Sequence, residues 1–171
     1  MKLYRKIIPK VAKDIVRSLL SQEAIEIEDG HRDEAELDIA GSLVDYLNSV
    51  DQIKSDAQEA LVRHNLQHDQ LFRIQRTLAE NRKIVIGELA LDFVIDKLVQ
   101  SLFKSKHISE IFAEDVDLRL TVTTSLRKYL GVDESIDREV RSRIKHLREG
   151  TPEWETEYEK WVGDLRQARV S

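Results

Sequence analysis

Apolar residues recur along this chain at the three- and four-residue spacing of amphipathic helices, almost from end to end. Ile8, Val11, Ala12, Ile15, Val16, Leu19 and Leu20 line one face of a first helix. Pro9 suits a first turn and damages an interior, so that helix begins near Ile8. Residues 24–29 (AIEIED) alternate like a strand, but they are too few and too isolated to found a sheet and read as an extended linker. Asp29-Gly30 marks a turn. Asp33 with Glu36 three residues on resembles a capping box opening a second helix, which turns Ala35, Ile39, Ala40, Leu43, Val44 and Leu47 inward. Asn48 tolerates the left-handed conformation of a helix C-terminal cap and is expected to close it. A third helix then starts at Asp51 and carries Ile53, Ala57, Ala60 and Leu61, and a fourth carries Leu71 and Leu78.

The same pattern occurs twice. Sliding the chain over itself by 83 residues, without a gap, lays 15–61 on 98–144. Identities fall at Val16/Val99, Ser18/Ser101, Leu19/Leu102, Ile25/Ile108, Leu37/Leu120, Ser42/Ser125, Leu43/Leu126, Tyr46/Tyr129, Leu47/Leu130 and Ile53/Ile136. Coincidence on core-type residues over that length points to two copies of one folding unit, 1–83 and 84–171. Asn48 aligns with Gly131, and Asp51 with Glu134, an acid suited to a first helical turn. Thr151-Pro152-Glu153 signals the start of the last helix, whose stripe of Trp154, Tyr158, Trp161 and Leu165 should anchor it. The expected architecture is all-α, two tandem homologous units packed as a pseudo-two-fold bundle with Tyr46 and Tyr129 in equivalent environments. The apolar helix around 91–103 should lie centrally and touch both halves.

The opening Lys2-Leu3 followed by IIPKVAKDIVRSLLSQEAIEIED, and the ending SIDREVRSRIKHLREGTPEWETEYEKW, resemble the two ends of a small bacterial family catalogued as domain of unknown function 507. The resemblance implies a compact helical protein. Taken with a family unit of about half this length, it implies an internally duplicated or fused member, and it transfers no activity.

The absence of cysteine excludes disulfides and thiolate metal sites. Residues 1–10 lack the apolar stretch and cleavage site of a signal peptide, and the most apolar window, 84–103, carries Glu88, Asp92, Asp96 and Lys97, so the chain reads as a cytoplasmic protein without a membrane span. Six glycines form no phosphate loop, and neither a GxSxG elbow nor a cysteine nucleophile occurs, so no enzyme is expected. His64 and His68, four apart with Asp69 adjacent, are half of a zinc site. Asn65 interrupts their shared face and neither has a histidine counterpart, so they read as linker histidines, with no metal or cofactor expected. Glu88, Asp92 and Asp96 read as a solvated helix face.

The net charge of -5 hides an asymmetry. Residues 1–20 carry Lys2, Arg5, Lys6, Lys10, Lys13 and Arg17 against Asp14 alone, whereas 21–60 carry twelve acids against Arg32 and Lys54. Internal pairing of these segments is the commoner fate of such runs. In the alternative, the six N-terminal cations track the phosphates of a nucleic acid, helped by Arg63, Arg73, Arg76, Arg82 and Lys83 and by Arg138, Arg141, Arg143, Lys145 and Arg148. Asp137 and Glu139 interrupt the last group, and the pI near 5.6 opposes this reading. The sequence therefore points first to a non-enzymatic helical binding or scaffolding protein, a pseudo-dimer within one chain, with an unknown protein partner.

Overall fold

The computed structural model describes residues 1–170 and is all-α apart from one two-stranded ribbon. In chain order the elements are α1 (Ile8–Ser21), β1 (Ile25–Ile27), α2 (Arg32–Arg63), α3 (Leu71–Asn81), α4 (Ala90–Lys104), β2 (Ile108–Ile111), α5 (Asp115–Tyr129), α6 (Glu134–Arg143) and α7 (Pro152–Val170). Short 3-10 turns lead into α1, α3 and α4.

Helix α1 begins where Pro9 places it and buries Ile8, Val11, Ala12, Ile15, Val16 and Leu19. It packs against α2 and α5, and α4 packs against the same two helices, so α4 touches both halves of the chain. A contiguous core runs through these four helices and takes in α6 and α7, from Ile7 to Val162. Tyr46 and Tyr129 both sit in it, but their polar ends differ. The Tyr46 hydroxyl donates to the Val85 carbonyl at 2.9 Å, while Tyr129 lies beside Asp14, Glu159 and Glu155.

Residues 24–29 are not a linker. β1 pairs antiparallel with β2, with Ile25 opposite Ile111 and Glu26 opposite Glu110, and a bulge follows before Ile27 meets Ile108. The partner strand lies 83 residues away, beyond the reach of any local pattern.

The second helix also departs from expectation. It starts at Arg32, one residue ahead of Asp33, which therefore stands in the first turn rather than capping it. It does not stop at Asn48 but runs on for 32 residues to Arg63, absorbing the expected third helix. At the corresponding place in the second half the chain does break. Gly131 takes φ +82°, and Asp133 caps α6 by accepting the Ile136 N–H at 2.9 Å. The residue corresponding to Asp133 is Val50, which has no side-chain acceptor to offer a new helix N-terminus, and there the helix continues.

Pro152 opens α7, with the Thr151 hydroxyl accepting the Trp154 N–H at 3.3 Å. The buried stripe is Trp154, Tyr158 and Val162 rather than Trp161, which is half-buried with the Arg143 guanidinium 4.7 Å from its ring.

Candidate functional site

Four places concentrate chemistry or unpaired surface: the basic first helix, the grooves beside α2 and α5, the exposed face of α5, and the end of the ribbon.

The basic helix is largely occupied from within. Arg5 pairs with Asp51 at 2.6 Å, and Lys10 and Lys13 reach Glu155 at 3.7 and 3.8 Å. Arg17 pairs with Asp14 and lies 3.6 Å from Glu159. Lys2 and Lys6 are exposed and carry no ion pair among the described residues. The Lys10 ammonium sits 4.0 Å from the Trp154 ring centre and 4.4 Å from that of Tyr158. Burial pushes its pKa down, against the opposing pull of Glu155. These contacts dock α7 onto α1 and hold the Lys10 side chain against the Trp154 and Tyr158 rings.

Two buried acids complete that junction. Asp14, only 2 % exposed, takes Lys128 at 3.3 Å, and Lys128 also holds Glu159 at 2.9 Å. Partial burial opposes the Lys128 charge, but hydrogen bonding to Glu159 and the charge of Asp14 more than offset it and raise its pKa. Asp137 accepts the Tyr158 hydroxyl at 2.5 Å and Arg141 Nε at 3.1 Å. Burial first, then Asp137, drives the Tyr158 pKa well above the usual phenol range. Burial and Asp14 do the same for Tyr129.

The grooves share corresponding residues along part of their linings. A cavity of about 680 Å³ lies between α2 and α4, lined by Leu37, Asp38, Ser42, Ser101 and Ser105 among others. A second, of about 570 Å³, lies between α5 and α1 and is lined by Leu120, Thr121, Ser125, Ser18 and Gln22, the 83-residue counterparts of those five. Ser105 Oγ donates to Asp38 at 2.6 Å in the first. In the second Thr121 Oγ1 donates to Gln22 at 3.1 Å, a bond between the same two positions.

The outer face of α5 breaks this equivalence. Phe112, just ahead of the helix, and Val116 and Leu120 on it are 64, 75 and 65 % exposed. Their counterparts are Asp29, Asp33 and Leu37, all exposed as well.

At the end of the ribbon Glu28, His31 and His107 come together. The Glu28 N–H donates to the His107 carbonyl at 2.9 Å, and the His31 N–H donates to the Glu28 carbonyl at 3.0 Å across a turn in which Gly30 takes φ +79°. The two imidazoles stack with centres 4.9 Å apart, and both Nδ1 atoms are shielded without a hydrogen-bond partner among the described residues. Sequence reasoning missed this cluster because 76 residues separate its histidines. It had singled out His64 and His68 instead, which sit exposed at the far end of α2. Glu88, Asp92 and Asp96 are solvated as expected, with Asp96 paired to Arg119.

These features define an all-α helical protein whose basic first helix is paired largely from within. No helix among the described residues is long and apolar enough to cross a membrane. The sequence model of the family described as protein of unknown function (DUF507) matches residues 1–169, and the chain belongs to that family. The match runs through both halves of the chain. A comparison with curated proteins gives no match.

Proposed function

We propose that this protein is a non-enzymatic, cytoplasmic binding or scaffolding protein, built from two copies of one helical unit related by an approximate two-fold axis, which engages a protein partner through the outer face of α5. The duplication rests on the 83-residue repeat and on the reciprocal packing of α1 on α5 and α4 on α2. The paired grooves and the bonds Ser105–Asp38 and Thr121–Gln22 add to it. A symmetric dimer whose chains became fused would leave this arrangement, its interface turned internal.

The observation that carries the partner surface is the contrast between Phe112, Val116 and Leu120 and their counterparts Asp29, Asp33 and Leu37. The same framework accepts acids at two of these positions, so the fold does not demand apolar residues there. Single exposed apolar residues need no explanation, whereas Val116 and Leu120 one turn apart on α5, with Phe112 just ahead of the helix beside the same groove, suit the apolar face of a partner helix.

Replacing Phe112, Val116 and Leu120 by aspartate tests the reading. Affinity capture from cell extract, with nuclease treatment and with the variant's circular dichroism matched to the parent, should yield a nuclease-resistant protein partner that the triple variant loses. A Leu37→Asp control should keep it. Identical capture by the triple variant, or capture abolished by nuclease, contradicts the proposal.

A further inference from the structure

We infer that Glu28, His31 and His107 form a binding site for one first-row divalent cation, of which zinc is the best fit, clamping the turn before α2 to the start of β2. Each of the three residues offers one ligand atom, and these atoms lie within 4.8 Å of one another. The backbone sets them in place before any ion arrives. The Glu28–His107 hydrogen bond fixes the strands side by side, and the turn at Gly30 folds His31 back onto Glu28. Ser105, whose hydroxyl accepts the His107 N–H at 3.4 Å and donates to Asp38, ties that end of the ribbon to α2.

The unpartnered nitrogens are the second observation. Although the rings are partly open to solvent, both Nδ1 atoms are shielded and lack a hydrogen-bond partner. The nearest carboxylates, Glu34 at 3.7 Å from His31 Nδ1 and Glu28 at 3.8 Å from His107 Nδ1, stand beyond hydrogen-bonding reach. Leaving one such group unsatisfied destabilises the fold, and two occur side by side. Stacked rings cannot satisfy each other, because they meet face to face rather than edge to edge. A cation held at the edge of the two rings, in the planes where the nitrogen lone pairs lie, would satisfy both once the rings tilt toward it.

Two imidazole nitrogens and one carboxylate oxygen suit zinc, copper or nickel and disfavour calcium and magnesium, which take oxygen ligands. Tetrahedral zinc, with bonds near 2 Å, places its ligands roughly 3.3 Å apart. Tilting of the two partly exposed rings and rotation of the glutamate would close the gap from 4.8 Å. A fourth position remains for solvent or for Glu34. The counterparts of the three residues are Ile111, Glu114 and Ala24, of which only one can ligate, so the inferred stoichiometry is one ion per chain.

The test uses the full chain, stripped with chelator and titrated calorimetrically with zinc chloride, while cobalt(II) absorption reports tetrahedral coordination. One zinc should bind per chain and raise the thermal midpoint. His31→Gln and His107→Gln should each weaken binding by about 100-fold or more, beyond the 10–100-fold typical of a lost outer-shell partner. Their metal-free midpoints should stay near that of the parent, which separates loss of a ligand from loss of fold. A His64→Ala, His68→Ala double variant should bind as the parent does. Failure of the parent to bind one equivalent, equal affinity in His107→Gln, or loss of binding in the His64/His68 variant overturns the inference.

Discussion

The two helical hairpins that end each half use corresponding residues and reach opposite outcomes. In the second half the chain turns at Gly131, α6 and α7 fold back, and Ile136, Val140, Trp154, Tyr158 and Val162 all join the main core. In the first half α2 runs straight on and α3 packs along its distal part. The residues buried there, Ile53, Ala57, Leu61 and Ala79, lie outside the main core cluster. Bulk follows the same division: Leu71, Gln75 and Leu78 of α3 stand where α7 has Trp154, Tyr158 and Trp161. A left-handed glycine and a capping aspartate thus decide whether a hairpin closes on the core or extends from it.

The largest test of this contrast is truncation of corresponding side chains. Trp154→Ala should destabilise the protein by about 3–5 kcal/mol, because it removes a buried aromatic and the surface on which Lys10 rests. Leu71→Ala, at the same place in the half-exposed α3, should cost below about 1 kcal/mol. Chemical denaturation of both variants measures the difference. Equal losses would place the two hairpins in the same environment.

The turn itself is the next target. Gly131→Ala puts a Cβ into open space, so its cost is conformational alone, about 1–2 kcal/mol for a left-handed residue. Asn48→Gly, mid-helix in α2, should cost about 0.5 kcal/mol, the gap between asparagine and glycine in helix propensity. Had Asn48 ended the helix, the glycine would be neutral or favourable there.

Asp133→Ala should remove about 1 kcal/mol through loss of the α6 cap. The backbone N–H of Ile136 holds the Asp133 carboxyl below the usual aspartate value. Its contribution is therefore present above the unfolded-state pKa near 4 and disappears as pH falls through the lower folded value. The difference between parent and Asp133→Ala stability should shrink over that acid range and stay flat at neutral pH. The two buried phenols act at the other end of the scale. Raised folded-state pKa values for Tyr129 and Tyr158 mean that stability is full below about pH 10 and declines above it, as unfolded tyrosine ionises first. Ultraviolet titration should show these two ionising only as the protein unfolds.

Much of this fold was legible from local chemistry. Pro9, the Thr151-Pro152 start and the Gly131 stop act through residues close in sequence, and each lies where the pattern put it. The reading of Asn48 failed because ending a helix takes two residues, one to turn and one to cap the next, and Val50 cannot cap. The ribbon and the cluster of Glu28, His31 and His107 depend on a strand from each half meeting in space. No periodicity carries that. The basic helix posed the opposite problem: its charges were plain, but their partners Asp51, Glu155 and Glu159 come from elements far along the chain.

Residue-resolved amide hydrogen exchange tests the central contrast most directly, since protection reports the free energy of local opening. If one hairpin is part of the core and the other rests only on its own helix, amides of α7 should exchange near the global unfolding limit. Those of α3 and of 51–63 in α2 should exchange through a separate, lower-energy opening. Equal protection of α3 and α7 at every denaturant concentration would contradict the account.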